Sequence, residues 1–276
     1  MGGAALDGLP GWVALLRAPN PGPMTLDGTN TWVLRAPGEE LGFVIDPGPL
    51  DDGHLEAIAE HAPFRAILIT HGHHDHVEGA PRLSAMLGGT PVLAAATAIE
   101  PEIASDGLRI RVLDTPGHTT DSVCFLAESG NSPAMFTGDT ILGRGSTVVA
   151  APDGDLGAYL DSLELLRTHP DVPMLPGHGP AQPDVAAMAR FYLDHRRERL
   201  AQVEAAMERG ADTPEKVVDL VYPDIDPAVR FAAIFSAKAQ LDYLSLQSDK
   251  GRWRGGRMGS HKNRESGTRA DGLDRL

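Results

Sequence analysis

Ile67-Leu68-Ile69-Thr70-His71-Gly72-His73-His74-Asp75-His76-Val77-Glu78-Gly79 is the stretch from which the rest of the chain is read. Its first four residues are apolar or β-branched and predict a buried strand, which runs straight into imidazoles and a carboxylate. His71 and His73 stand two apart beyond the strand end, so their side chains can point the same way. Asp75 and His76 lie where a helix begins, with Val77, Ala80, Leu83 and Leu87 at helical spacing. Imidazole nitrogens and a carboxylate oxygen gathered at a strand end suit Zn2+ or another borderline first-row cation. His74 alternates away from its neighbours and is expected at the surface or in a supporting role.

The pattern Thr-His-x-His-x-Asp-His after an apolar strand resembles the metallo-β-lactamase superfamily of binuclear metal hydrolases. Three further segments resemble it in order: Thr115-Pro116-Gly117-His118-Thr119, Thr137-Gly138-Asp139-Thr140 and Pro176-Gly177-His178-Gly179. The resemblance runs from Asn20 to Pro180. It implies that His71, His73 and His118 hold one cation, that Asp75, His76 and His178 hold the other, and that Asp139 bridges them. It also implies an α+β fold, the αββα sandwich with its metals at one edge of the sheets. The cofactors implied are two divalent ions, Zn2+ first, with Mn or Fe as alternatives. A hydroxide shared by two such ions is the implied nucleophile. Asp75, besides its role as a ligand, is placed to orient that nucleophile or take its proton.

Composition sets limits on the rest. A chain of 276 residues can bury a large single core, with room for a small extra domain. No run approaches the ~18 apolar residues of a membrane span. The first residues, Met1-Gly2-Gly3-Ala4-Ala5-Leu6-Asp7, lack a basic stretch and a continuous apolar stretch, so a cytoplasmic protein is expected. The single cysteine, Cys124, excludes an internal disulfide and reads as a space-filling thiol in an apolar strand. Net charge is -14, but from Asp249 onward eight Lys/Arg face four Asp/Glu, leaving a net of -18 before that tail. A body so acidic disfavours extended contact with a phosphate backbone.

Taken in order, Trp12 to Arg17 and Thr31 to Arg35 predict the first strands, around the turn Pro19-Asn20-Pro21-Gly22-Pro23. Met24-Thr25-Leu26-Asp27-Gly28-Thr29-Asn30-Thr31 resembles the entry loop of the β-lactamase-like protein 2 branch of the superfamily. Phe43-Val44-Ile45-Asp46-Pro47-Gly48 is a strand with a Pro-Gly stop, and Asp46 reads as support for a ligand. Asp52 to His61 predicts a short helix, Val77 to Leu87 another, and Leu156 to Thr168 a third. Pro91 to Ala94, Ile110 to Asp114, Ser122 to Leu126, Ala134 to Thr137 and Val172 to Leu175 predict strands. The glycine-rich run Ile141 to Ser146 matches no phosphate-binding fingerprint. Asn30, Arg144 and His195 are the candidate substrate contacts, and His54, His61, His169 and His261 are expected to be solvated.

From Pro183 the pattern turns helical. Val185 to Glu208 predicts one long helix, and Thr213-Pro214 and Asp226-Pro227 each pair an N-cap with a proline at the first helical position. The expected organisation is a catalytic domain over 1–182 and a helical, winged-helix-like domain over 183–248. A basic tail over 249–276 is expected to be largely disordered.

Asp139 discriminates among substrates. Within the superfamily, true β-lactamases tend to lack a bridging Asp here, and one subclass has a Cys; Cys124 comes too soon after His118 to fill that slot. Thioester hydrolases of the glyoxalase II type and phosphodiesterases of the RNase Z type use the Asp. The resemblance therefore implies a thioester, ester or phosphodiester hydrolase, acting on a small acyl (thio)ester or on short single-stranded RNA. The acidic body favours the smaller substrate. An iron oxygenase and a non-catalytic nucleic-acid adaptor are the readings from other classes, and the full ligand set argues against both.

Overall fold

The computed structural model describes residues 9–94, 100–105 and 107–256. Its centre is a pair of five-stranded mixed sheets. The first sheet is ordered β1 (Val13–Arg17), β2 (Asn30–Leu34), β3 (Gly42–Ile45), β4 (Phe64–Leu68) and β5 (Val92–Leu93). The second is ordered β10 (Met174–Pro176), β9 (Ser132–Gly138), β8 (Val123–Ser129), β7 (Leu108–Asp114) and β6 (Glu102–Ser105). β3, β4 and β5 run parallel, as do β9 and β10, while the remaining neighbours are antiparallel.

Strand alternation builds four layers. Trp32 and Leu34 of β2, Phe43 and Ile45 of β3, and Ala66 and Leu68 of β4 face inward. They meet Val123, Phe125 and Ala127 of β8 and Ala134 and Phe136 of β9 between the sheets. Residues one step out of phase face the other way. Val33, Val44 and Ile67 pack on α1 (Asp52–Ala59) and α3 (Ala80–Met86) through Leu55, Ile58 and Leu83. Cys124, Leu126 and Met135 pack on α4 (Leu156–Leu166) and α5 (Val185–Glu208). This is the αββα sandwich of the fold class read from the sequence. Phe136 sits at its middle, fully buried and edge-on to Trp12 and Trp32, with ring centroids 6.3 and 6.0 Å away. Its truncation to Ala would cost about 3–5 kcal/mol.

The helix expected over Val77 to Leu87 is instead two short ones, α2 (His74–Val77) and α3. Gly48 takes both His76 O and Gly79 N into hydrogen bonds, and Pro81 brings no N–H to the first turn of α3, so no continuous ladder can form. β6 was not anticipated, because Glu102-Ile103-Ala104-Ser105 is an edge strand with a single strongly apolar residue.

The helical region divides along α5. Val185, Ala189, Tyr192 and Leu193 in its first half belong to the core under the second sheet. Val203 and Ala206 in its second half pack with α6 (Pro214–Val221) and α7 (Arg230–Gly256) in a core of their own. The expected boundary at 182/183 thus falls where packing is continuous, and the one at 248/249 falls inside α7. No strand of a wing follows these helices among the described residues. The remainder of the basic tail, with His261, lies outside the described residues. No helix of those described is long and apolar enough to cross a membrane.

Candidate metal centre

All the residues expected as ligands lie just beyond strand ends on one edge of the sandwich. His71 and His73 follow β4, and the single turn of α2 brings Asp75 and His76 to the same side. Both come from the first sheet. The second sheet contributes His118 beyond β7, Asp139 beyond β9 and His178 beyond β10. Two glycines allow the loops to close. A Cβ on Gly138, which has φ 48°, would lie 2.5 Å from Thr70 Oγ1, and one on Gly177 would lie 2.7 Å from Asp139 Oδ1.

The structure brings the seven side chains into one cluster. His73 Nδ1 lies 3.1 Å from both His71 Nε2 and His118 Nε2. His178 Nε2 lies 3.2 Å from His76 Nε2 and 3.1 Å from Asp75 Oδ2. Asp139 stands between the two trios, with Oδ2 3.8 Å from His118 Nε2 and 3.5 Å from His178 Nε2, and Oδ1 3.5 Å from His76 Nε2. Donor atoms at Zn–N distances of 2.0–2.1 Å and tetrahedral angles would be spaced about 3.3 Å apart, which these separations match. His71, His76, Asp139 and His178 are buried, whereas His73, Asp75 and His118 form a partly exposed rim.

The outer hydrogen bonds fix which nitrogen faces inward. His118 Nδ1 lies 2.7 Å from Val148 O and His178 Nδ1 3.3 Å from Gly28 O. A carbonyl only accepts, so each Nδ1 carries a proton, and in the neutral ring Nε2 is the atom that offers a lone pair. His76 Nδ1 lies 2.8 Å from Asp46 Oδ2 and donates to it. Thr70 Oγ1 donates to the same oxygen at 2.6 Å and so accepts from His71 Nδ1 at 3.0 Å. Asp46 Oδ1 also accepts from Thr70 N at 2.8 Å. Four histidines are thus aimed through Nε2, and His73 is the exception, turned in through Nδ1.

Electrostatics agree with a cation-binding cluster. Burial pushes His71 well below the ordinary imidazole range, and His76 adds to the shift. His118 is lowered by burial, against the pull of Asp139. Burial also acts against the charged forms of His76 and His178, but Asp139, with Asp46 beside His76 and Asp75 beside His178, raises both. Burial would raise Asp139, yet His76 and His178 hold it well below the usual carboxylate range. Asp139 Oδ1 is nevertheless buried with no hydrogen-bond partner. An ionised oxygen left so is costly unless a cation meets it, and the donor set fits Zn2+-type ions.

The candidate substrate contacts fare differently. Asn30 is fully buried, its amide spent on Pro176 O at 3.0 Å and Gly179 O at 2.8 Å, so it clips the His178 loop and presents nothing to a substrate. Arg144 is exposed and held in a two-pronged ion pair by Asp27 of the entry loop. His195 lines a cavity of about 310 Å³ with Gly145, Ser146, Phe191 and Tyr192. His74 is exposed, as is His61, while His169 is partly exposed. His54, expected in solvent, is buried and bonded to Thr31 Oγ1 at 2.9 Å, because α1 turns it under the loop after β3. Thr70, Val148 and Gly28 were not foreseen as supports. Only Thr70 left a signal, as the residue before the first histidine.

The profile described as "Metallo-beta-lactamase superfamily" matches residues 24–91 and 84–178. The lactamase-like protein adaB of Aspergillus niger is 34% identical over 69% of this chain, and the match takes in 62% of that protein's length. An atrochrysone carboxyl ACP thioesterase of Aspergillus chevalieri is 33% identical over 80% of this chain and 77% of its own. A beta-lactamase-like protein 2 homolog of Caenorhabditis elegans is 30% identical over 82% and 81%. Among solved structures, a beta-lactamase domain protein from Burkholderia ambifaria superposes with a TM-score of 0.71 at 24% identity, covering 88% of this chain and 91% of its own. Profile, relatives and ligand geometry agree, and the chain belongs to the metallo-beta-lactamase superfamily.

Proposed function

We propose that this chain is a binuclear metal-dependent hydrolase that opens an acyl thioester or ester. His71, His73 and His118 would hold one divalent cation and Asp75, His76 and His178 the other, with Asp139 shared and Zn2+ the first choice of ion. The observation that carries the reading is Asp139, a buried carboxylate held well below the usual range between two imidazole-rich trios, with one oxygen that accepts no hydrogen bond and has His76 Nε2 3.5 Å away. Bound cations would supply Lewis acidity and a water acidic enough to attack near pH 7.

The chain's own groups supply the rest. Asp46, Thr70, Val148 and Gly28 engage the outer nitrogens, so the rings need not turn before binding. Asp75 lies at the rim with its side chain 29% exposed, and its Oδ2 faces His178. Its accessible edge can orient an attacking water and accept the proton that water gives up. The attack adds oxygen to the acyl carbon and expels a thiol or alcohol, leaving a carboxylic acid. The acidic body and the similarity to an acyl-carrier thioesterase support the thioester. The entry-loop resemblance to the β-lactamase-like protein 2 branch, which implies single-strand RNA cleavage as well as thioester hydrolysis, supports a second reading, cleavage of short single-stranded RNA, and the similarity to the homologs of that name extends over most of the chain.

The test is a panel of substrates offered to metal-quantified protein: acyl thioesters of several chain lengths, p-nitrophenyl esters, bis(p-nitrophenyl) phosphate, single-stranded RNA and a cephalosporin. Thioester hydrolysis that disappears in Asp139→Asn is the expected result. Turnover of RNA alone would move the conclusion to the second reading, and turnover of cephalosporin alone would defeat both.

A further inference from the structure

One buried charge is used by none of this. Arg196, on α5, is only 5% exposed, yet among the described residues no carboxylate lies within ion-pair distance of it. Its guanidinium stands 5.1 Å from the centroid of the Tyr159 ring, Nη2 donates to Thr147 O, and Nε has no partner. Removing a cation from water without a counter-charge costs several kcal/mol. What the side chain grips is therefore informative.

It grips the turn between β9 and α4. Thr147 Oγ1 donates to the backbone oxygen of Asp139 at 2.9 Å. The next residue, Val148, supplies the carbonyl that accepts from His118 Nδ1 at 2.7 Å. A hold on Thr147 thus bears on a member of the first trio and on the shared carboxylate together. Two tyrosines brace the same turn. Tyr159 OH donates to Thr140 O at 2.7 Å, and Tyr192, one helical turn before Arg196, accepts from Leu142 N at 3.2 Å and contacts Gly145 O at 3.2 Å. The Arg196 guanidinium lies over one of these rings while it bonds to the middle of the turn, a combination that its planar, many-donor fork suits better than a compact ammonium.

We propose that Arg196 is a positioning residue for the metal centre, setting Asp139 and His118 through the 139–148 turn. The inference rests on the metal-binding reading above. It makes the first half of α5 a working part of the site, although no residue of that helix is a ligand.

The test uses the full chain stripped of metal, with Arg196→Met, Arg196→Lys and the exposed neighbour Arg197→Met as control. Zn2+ affinity is measured by competition with a chromophoric chelator, the ligand field by Co2+ absorption, and folding by circular dichroism of the stripped protein. Arg196→Met should remain folded, lose about 10–100-fold in affinity for at least one ion and shift the Co2+ bands, as loss of an outer support does elsewhere. Arg196→Lys should recover part of that loss, and Arg197→Met should match wild type. A folded Arg196→Met with unchanged affinities and bands overturns the proposal. If Arg196→Met does not fold, Thr147→Val decides: it removes only the hydroxyl that reaches Asp139, so weaker Zn2+ binding supports the role and unchanged binding refutes it. Wild-type protein that takes up no Zn2+ would remove the metal reading and this role together, and that outcome is seen before any variant is made.

Discussion

Replacing Asp46 by Asn tests how the histidines are aimed. Asp46 is buried and accepts three hydrogen bonds: from Thr70 N at 2.8 Å, Thr70 Oγ1 at 2.6 Å and His76 Nδ1 at 2.8 Å. Its backbone lies at φ 51°, a conformation Asn tolerates, so the substitution changes chemistry and leaves the turn alone. Asn keeps one accepting oxygen. If that oxygen stays with Thr70 N, the amide NH2 meets the Thr70 hydroxyl and His76 N–H, donor against donor. The relief available to His76 is to move its proton to Nε2, the nitrogen that faces His178 at 3.2 Å. A ligand so protonated cannot bind. The expected loss is about 10–100-fold in affinity for the ion that His76 holds, or about 1.4–2.7 kcal/mol. The stripped protein should also lose roughly 2–3 kcal/mol, since hydrogen bonds to a charged acceptor contribute about 1.5–3 kcal/mol each. Chelator competition reads the first quantity, denaturant unfolding the second, and nitrogen NMR of the imidazoles the tautomer. Wild-type affinity in Asp46→Asn, with His76 still protonated on Nδ1, would refute the reasoning.

Other consequences follow from the same geometry. Asp139→Asn and Asp75→Ala should each lower kcat/KM on the active substrate by at least about 100-fold, since each removes a ligand charge from the cluster; atomic absorption should show reduced metal content in Asp139→Asn. Asp139 raises both His76 and His178, so a cation must compete with protons for these two rings. Zn2+ affinity should therefore rise with pH, and calorimetry in buffers of different ionisation heat should show proton release. Burial pushes the Cys124 thiol up from 9.0 to about 11. A raised folded pKa gives stability that is whole below pH 9 and lost as pH climbs to 11, here about 3 kcal/mol. The unfolding free energy of wild type minus that of Cys124→Ala should fall over that range, and a flat difference would show that Cys124 is not so buried.

The clustered His and Asp side chains were legible in the sequence as candidate ligands because each follows a short apolar strand and keeps a distinctive neighbour, such as Gly138 before Asp139 or Gly177 before His178. The layers were legible for a similar reason: inward residues such as Trp32 and Leu34 alternate with outward Val33. Of what surrounds the candidate ligands, Asp46 was legible from its place after an apolar strand, and it bonds His76 Nδ1 and Thr70, but most of the rest was not. Asn30 carries no local mark of its bonds to Pro176 and Gly179, nor does His54 of its bond to Thr31, because such contacts join distant parts of the chain. Arg196 sits in a helix rich in charged residues, where nothing in the spacing tells the buried arginine from Arg197, its exposed neighbour. The break between α2 and α3 was hidden too, since the apolar spacing from Val77 to Leu87 takes no account of the backbone bonds that Gly48 makes.

The two sheets meet at the ligand edge with neither owning the site. The first trio joins two residues after β4 to one after β7, and the second joins two residues of α2 to one after β10. An ion in either place would be a rivet through the seam between two half-molecules. Chelation should loosen that seam first, so amide exchange should quicken around His118 and His178 while the middle of β8 stays protected. Mechanical pulling that shears one sheet past the other should meet a lower force once the rivets are drawn.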